Sequence, residues 1–459
     1  MTRERHSAPR KRGPKTAHRD NATPREDRNP GEGVQPAPDS RRSGPHRGRP
    51  TFNRAHRAHT KESVHPPEAA TPGAGDSTND REEVQMLLKL YRPDLVEVLR
   101  EQSAPAYRYE QVFEHLLRRP LQPFGHSTVL PAALRAALDV RGYSTLTTSA
   151  DTAGKDQTTK LLMTAADGSA IEMVIMRYRQ RVTACISSQV GCPVGCAFCA
   201  TGRGGFSRNL SAAEIADQVR TAAALGSDEG WRLSNLVYMG MGEPLLNLQA
   251  VLDSIRIVTH PRGLGLGHRS ISVSTVGIPS GIRRLARSEP QVNLALSLHA
   301  AEDRTRARLV PATYRHPLVD ILSAAWEHFD ITHRKLLIEY VLLEGVNDSA
   351  NDAKRLAALL KGHVVTVNLL SWNAVPYLSA RPEEGAATPS SRPTRPANGP
   401  TGPQRVIFKA SSQATVKAFR DALISAGIET VIRRGKGDDI DAACGQLAGR
   451  RPAKGPLTR

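Results

Sequence analysis

The chain reads as an α/β protein built on a parallel sheet, and two observations predict it. Six apolar stretches of strand character, RVTACISSQV, LSNLVYMG, SISVSTVG, VNLALSLH, KLLIEYVLLEG and VVTVNLL, recur between Arg181 and Leu370. Amphipathic helical segments intervene, among them SAAEIADQVRTAAAL, LDSIRIVTH and LVDILSAAWEHF. Such alternation marks β-α units in series, which lay their strands parallel. Whether the sheet is doubly wound or curls into a barrel, chemistry gathers at the C-terminal ends of its strands.

The remaining segments follow in order. Residues 1–79 are Arg, Lys, His, Pro, Gly and Ser with almost no large apolar side chain. They cannot bury enough surface to offset their ordering entropy, so a disordered basic tail is expected. Residues 80–145 have helical periodicity in VQMLLKLYRPDLVEVLR, YEQVFEHLLRR and PAALRAAL, which predicts a small helical domain. The α/β core is expected over residues 178–437. Within it, SARPEEGAATPSSRPTRPANGPTGP (379–403) reads as a flexible insertion, and 438–459 as a C-terminal segment. Ser211 and Glu214 form a capping box that starts one helix. GLGLG at Gly263–Gly267 is not a dinucleotide loop, because it follows a helix and precedes a strand.

Composition sets the partner class. The 459 residues carry a formal charge of +18, which points to a polyanion, nucleic acid first. No run of about 18 apolar residues spans a membrane, and MTRERHSAPRKRGPK lacks the apolar region of a secretory signal. Five cysteines, an odd number, argue against a disulfide scaffold. A cytoplasmic protein that uses thiols for metal or catalysis fits better.

Three of those thiols, Cys192, Cys196 and Cys199, lie in GCPVGCAFCATG with spacing C-x3-C-x2-C, directly after the first core strand. A zinc site would want a fourth Cys or His nearby, and the local sequence offers none. Cys185 sits inside the strand and Cys444 is far away. Three thiolates suit a [4Fe–4S] cluster that leaves one iron open to a substrate.

The motifs GCPVGCAFCATG, RNLSAAEI, MGMGEPLLN, VSTVG, LALSLHA, NLLSWN and GDDIDAACGQLAG together resemble the RlmN/Cfr family of radical S-adenosyl-L-methionine (SAM) RNA methyltransferases. The resemblance covers all but the tail and the Pro-rich insertion. It implies a partial (β/α)6 radical SAM barrel after an RNA-docking helical domain. Cys192, Cys196 and Cys199 would hold the [4Fe–4S] cluster, whose open iron takes SAM. Gly242 and Glu243 would meet the SAM amino group. Ser274, Ser297, Leu298, His299 and Asn373 would hold its ribose and carboxylate.

The family's chemistry suits its target. Adenine C2 and C8 are electron-poor and will not attack a methyl sulfonium, whereas a carbon radical can add to them. By resemblance, Cys444 accepts a methyl group from one SAM, and a radical from a second SAM activates that methyl for addition to the ring. Cys185 then attacks the Cys444 sulfur, forms a disulfide and frees the RNA. Glu172, thirteen residues before Cys185, takes the ring proton, although a solvated strand glutamate is the plain reading of that residue alone. The expected target is C2 of adenine 2503 in 23S rRNA, with adenine 37 of tRNA as a second substrate. C8 methylation and a non-catalytic iron–sulfur RNA-binding relative are the alternatives. An electron donor such as flavodoxin is implied, and a monomer is expected.

Overall fold

The computed structural model describes residues 77–311, 316–375, 408–433 and 435–449. Residues 1–76 of the expected tail and the whole 379–403 insertion therefore lie outside the described residues, as do the last ten residues of the C-terminal segment. Four helices come first: α1 (Ser77–Tyr91), α2 (Pro93–Glu101), α3 (Tyr107–Arg118) and α4 (Ala132–Arg141). Pro93 at the first position separates α2 from α1, where its missing N–H costs nothing. Their apolar stripes, with Leu88, Leu95, Leu99, Phe113 and Leu116 fully buried, form a shared core.

A three-strand antiparallel meander follows: β1 (Leu146–Ala153), β2 (Thr158–Ala165) and β3 (Ala170–Arg177). No domain is expected between residues 145 and 178, because LTTSADTA gives β1 no apolar alternation. β3 pairs antiparallel with β4 (Val182–Cys185), which opens the parallel sheet. RVTACISSQV is thus two strands and not one. At Ser187 the chain leaves the sheet: its N–H donates to Gln218 Oε1 at 2.8 Å and its hydroxyl to Glu172 O at 2.6 Å. The second piece, β5 (Gln189–Gly191), forms a separate hairpin with β6 (Phe206–Asn209), bracketing the short helix α5 (Ala200–Arg203).

The β-α series then runs through α6 (Ala212–Glu229), β7 (Asn235–Tyr238), α7 (Leu248–Thr259), β8 (Ile271–Thr275), α8 (Pro279–Ser288) and β9 (Asn293–Ser297). It continues with α9 (Asp303–Leu309), α10 (Leu318–Thr332), β10 (Leu336–Leu342), α11 (Ala350–Leu360) and β11 (Val365–Ser371). A helix, Gln413–Ser425, leads to a last parallel strand, β12 (Glu429–Arg433), which the sequence reading did not foresee. The ten-strand order is β1-β2-β3-β4-β7-β8-β9-β10-β11-β12, parallel from β4 onward. The expected capping box at Ser211 and Glu214 is present, and α11 has another at Ser349 and Asp352. The parallel strands bury Val273, Leu294, Leu296, Ile338, Val367 and Leu369 completely. Such two-sided burial is why they read as apolar runs.

One buried ion pair joins the first helices to the core. Asp217 and Arg220 of α6 are both fully buried and bond each other. Asp217 Oδ1 accepts from the Tyr91 hydroxyl, and Oδ2 accepts from Thr145 N and Oγ1, both at 2.6 Å. Arg220 donates to Leu116 O at 2.7 Å and to Tyr143 O at 2.9 Å.

Candidate active site

The C-terminal ends of the parallel strands enclose one cavity, and most of the expected site residues line it. Cys185 comes from the end of β4, Gly242 and Glu243 from the loop after β7, Ser274 from β8, and Ser297 and His299 from the end of β9. Asn373 follows β11, and Cys192, Cys196, Cys199 and Cys444 complete that group. Two expected residues do not line it. The Leu298 side chain is fully buried elsewhere, and its N–H donates to Glu339 O at 3.0 Å.

Glu172 is the other, and it is not solvated. It is buried beside the C-terminal segment, where Oε2 accepts from Ala448 N at 2.6 Å and Gly449 N at 3.0 Å. Its Oε1 lies 3.3 Å from Lys160 Nζ. The plain reading of Glu172 as a solvated strand residue fails, because the chain that covers it arrives from 276 positions away.

The cysteine loop is held at both ends. Gly191 has φ +75°, and a Cβ there would come within 2.0 Å of Gly205 O, so only glycine fits. Cys192 N donates to Gly205 O at 2.8 Å, and Ala197 N to Leu309 O at 2.9 Å. The Cys444 segment docks on this loop directly: Ala200 N donates to Gly445 O at 2.7 Å and Thr201 Oγ1 to Leu447 O at 2.6 Å. Asn373 Nδ2 reaches Cys444 O at 3.5 Å.

The loop after β7 has its own logic. Gly242 has φ +106°, and a Cβ there would lie 2.7 Å from Ser188 and Gln189 side-chain atoms. Glu243 spends both carboxylate oxygens on backbone: Oε1 accepts from Leu245 N at 3.0 Å and Oε2 from Val276 N at 2.9 Å. Burial pushes its carboxyl up to about 7. Ser274 and Ser297 hydroxyls bond each other at 3.0 Å across β8 and β9. His299 adopts φ +59°, accepts from Val341 N at Nδ1 and packs edge-on against Phe198. Burial, then the Arg306 charge, lowers its ring to about 3, so it is neutral at physiological pH.

All five cysteines are free thiols, so the Cys185–Cys444 disulfide expected during the cycle is not formed in this structure. Burial pushes Cys185 and Cys192 up to about 12, and raises Cys196, Cys199 and Cys444. Cys444 is exposed to the cavity although protein surrounds it. Among the described residues no three Cys, His, Asp or Glu side chains converge closely enough to hold a single metal ion. A polynuclear cluster takes each thiolate on a different iron, so it accommodates ligands that stand further apart. The donor set is three soft thiols on one loop, facing an open cavity, and it fits such a cluster.

Among the residues of this cavity that sequence reasoning missed are Glu339 on β10 and Arg433 at the end of β12. Glu339 left a signal: a lone charge inside the apolar run KLLIEYVLLEG. Arg433, in VIRRGKG, left none.

Comparison with known proteins agrees with the geometry. The Radical SAM superfamily model matches residues 186–357. A probable dual-specificity RNA methyltransferase RlmN of Heliobacterium modesticaldum is 41% identical over 368 residues, 78% of this chain and 88% of its own. A dual-specificity RNA methyltransferase RlmN of Syntrophobacter fumaroxidans is 40% identical, covering 77% and 95%. The crystal structure of a radical SAM methyltransferase from Sphaerobacter thermophilus superposes with a TM-score of 0.68 at 39% identity, over 77% of this chain and 96% of that one.

Proposed function

The chain belongs to the RlmN family of radical SAM RNA methyltransferases, and from that membership we propose that it methylates C2 of adenine 2503 in 23S rRNA. A tRNA adenine is the second substrate, in keeping with the dual specificity in the relatives' names. The observation that carries the reading is the convergence of five cysteines on one cavity, three on a single loop and two from opposite ends of the core.

When bound, the cluster and SAM supply one-electron chemistry that an electron-poor ring carbon requires. The protein's own residues divide the remaining work. Cys192, Cys196 and Cys199 would hold the cluster. Gly242 would let SAM approach the backbone, and Ser274, Ser297, Asn373 and His299 would orient it. His299 is neutral at physiological pH, so it would add no positive charge to a site that takes a cation. Cys444 carries the methyl group through two SAM per turnover, and Cys185 releases the product through a transient disulfide. For Glu172 to take the ring proton, it has to exchange the Ala448 and Gly449 amides for substrate, so the segment behind Cys444 moves when RNA enters. The helical region 80–145 docks the RNA, and a flavodoxin-like protein supplies electrons.

Mass spectrometry of rRNA and tRNA nucleosides from a deletion strain tests this. C2-methyladenosine should disappear and return with the restored gene. Unchanged C2-methyladenosine, or loss of a C8-methylated nucleoside instead, overturns the assignment.

A further inference from the structure

Beyond these roles, Lys160 of β2 touches both the carboxylate that takes the ring proton and the segment that carries the methyl group. On β2, Leu162 stands directly opposite Glu172, and Lys160, two positions along, shares that face of the sheet. Its Nζ lies 3.3 Å from Glu172 Oε1 and donates to the backbone oxygen of Asp441 at 3.2 Å. An ammonium has three N–H donors, so one lysine serves both partners at once. Asp441 precedes Cys444 by three positions. The other Glu172 oxygen is held from behind that cysteine, by the Ala448 and Gly449 amides.

What stays with Glu172 when those amides leave decides the role of Lys160. The carboxylate is buried, and a buried charge is costly unless an opposite charge or hydrogen bonds meet it. The remaining ties of Glu172 hold its main chain: its N–H points to Met241 Sδ at 3.4 Å, and its carbonyl accepts from the Ser187 hydroxyl at 2.6 Å. Among the described residues Lys160 is the cation paired with the carboxylate. Position matters as much as charge. In the adduct the ring carbon is joined to Cys444 through the transferred carbon, so the proton acceptor has to stand beside the front of this segment. The bond to Asp441 O fixes that placement. The base of the segment is anchored separately, by Gly437 N to Asp156 Oδ2 and by Lys155 N to Asp439 Oδ2, both at 2.9 Å. Loss of the Lys160 side chain therefore leaves the segment attached.

We propose that Lys160 is a positioning residue for the proton transfer, holding Glu172 ionised and in register with Cys444 while the Ala448–Gly449 end opens for RNA. Lys160 keeps its own protons throughout and forms no covalent bond. This rests on the reading of Glu172 as acceptor of the ring proton, which fails separately if Glu172→Gln traps no adduct.

The test reads where the cycle stops. Cluster-loaded full-length protein is given SAM, a reductant and an RNA fragment carrying the target adenine. Methylation of Cys444 is read by mass spectrometry, and the protein–RNA adduct as a nuclease-sensitive shifted band. Lys160→Met should methylate Cys444 as the parent does and release the adduct about tenfold more slowly, the order expected for losing one charge-assisted contact. Adduct should therefore accumulate, and Lys160→Arg should bring it back close to the parent level. A merely structural lysine would instead lower Cys444 methylation and product together, with no adduct. That pattern, or parent-like release from Lys160→Met, overturns the proposal. Should Lys160→Met fail to load the cluster, Lys160→Gln serves, since it keeps a donor without the charge: accumulated adduct supports the proposal, and none overturns it.

Discussion

Two acid–base pairs in this molecule have opposite designs. At Asp217–Arg220 both carboxylate oxygens are partnered, and Tyr91, Thr145, Leu116 and Tyr143 converge on the pair from the helical region and its link to β1. At Glu339–Arg433 the groups stand 3.7 Å apart, one oxygen has no partner, and the pair faces a cavity. The first carboxylate is fully partnered within the protein and lies away from any ligand cavity, so it is architecture, although Arg220 Nη2 has no partner. The second leaves a carboxylate oxygen unpartnered at a cavity wall, so what separates the pairs is access and not satisfaction alone.

The largest effect should come from breaking the thiol chemistry beside the open pair. Cys444→Ala should neither modify RNA nor become attached to it. Cys185→Ala should accept a methyl group at Cys444 and add to adenine but lack the thiol that resolves the adduct. It should accumulate as a protein–RNA crosslink, visible as a nuclease-sensitive shifted band. Glu172→Gln should stall at the same stage, because the ring proton has no acceptor. Cys185→Ala turning over without a trapped species would remove the methyl-cysteine route.

Breaking the closed pair should instead cost stability. Asp217→Ala leaves the Arg220 guanidinium fully buried without its counter-charge, a change that costs about 3–5 kcal/mol. Urea unfolding should show that loss, whereas Glu339→Gln, which removes no packed volume, should stay within about 1 kcal/mol of the parent. Comparable losses for the two variants would mean that the pairs are not different in kind.

The two pairs were unequally legible in the sequence. The parallel core was readable, since strands buried on both faces become apolar runs and helices between them keep a 3.6-residue period. The cluster cysteines and the strand-end residues were readable too, because their spacing is local. Asp217 and Arg220 were invisible as a joint, since their partners lie up to 126 positions away. The antiparallel meander escaped because β1 is polar, and with it went the covered position of Glu172. Arg433 escaped because a basic residue at the end of a short strand looks like any solvated one. What brings it to Glu339 is the addition of β12 beside β11, a tertiary event.

A buried group with no counter-charge extends the comparison to its mildest case. His328 of α10 is fully buried, with Nε2 unpartnered and Nδ1 3.3 Å from Thr332 Oγ1. Burial, then the Arg334 charge, lowers its pKa to about 4, below the roughly 6.5 of an unfolded histidine. The folded state therefore binds the proton less readily than the unfolded one. The stability due to neutral His328 is fully present above about pH 6.5 and is lost as pH falls toward 4, at up to about 1.4 kcal/mol per pH unit. His299 is lowered for the same reason and adds to the parent's slope, so the informative quantity is a difference between proteins. His328→Leu should unfold in urea with a shallower pH dependence than the parent between pH 6.5 and 4, by about one proton. Parallel curves would show that His328 finds a partner when it is protonated, and that a buried charge at this place is already provided for.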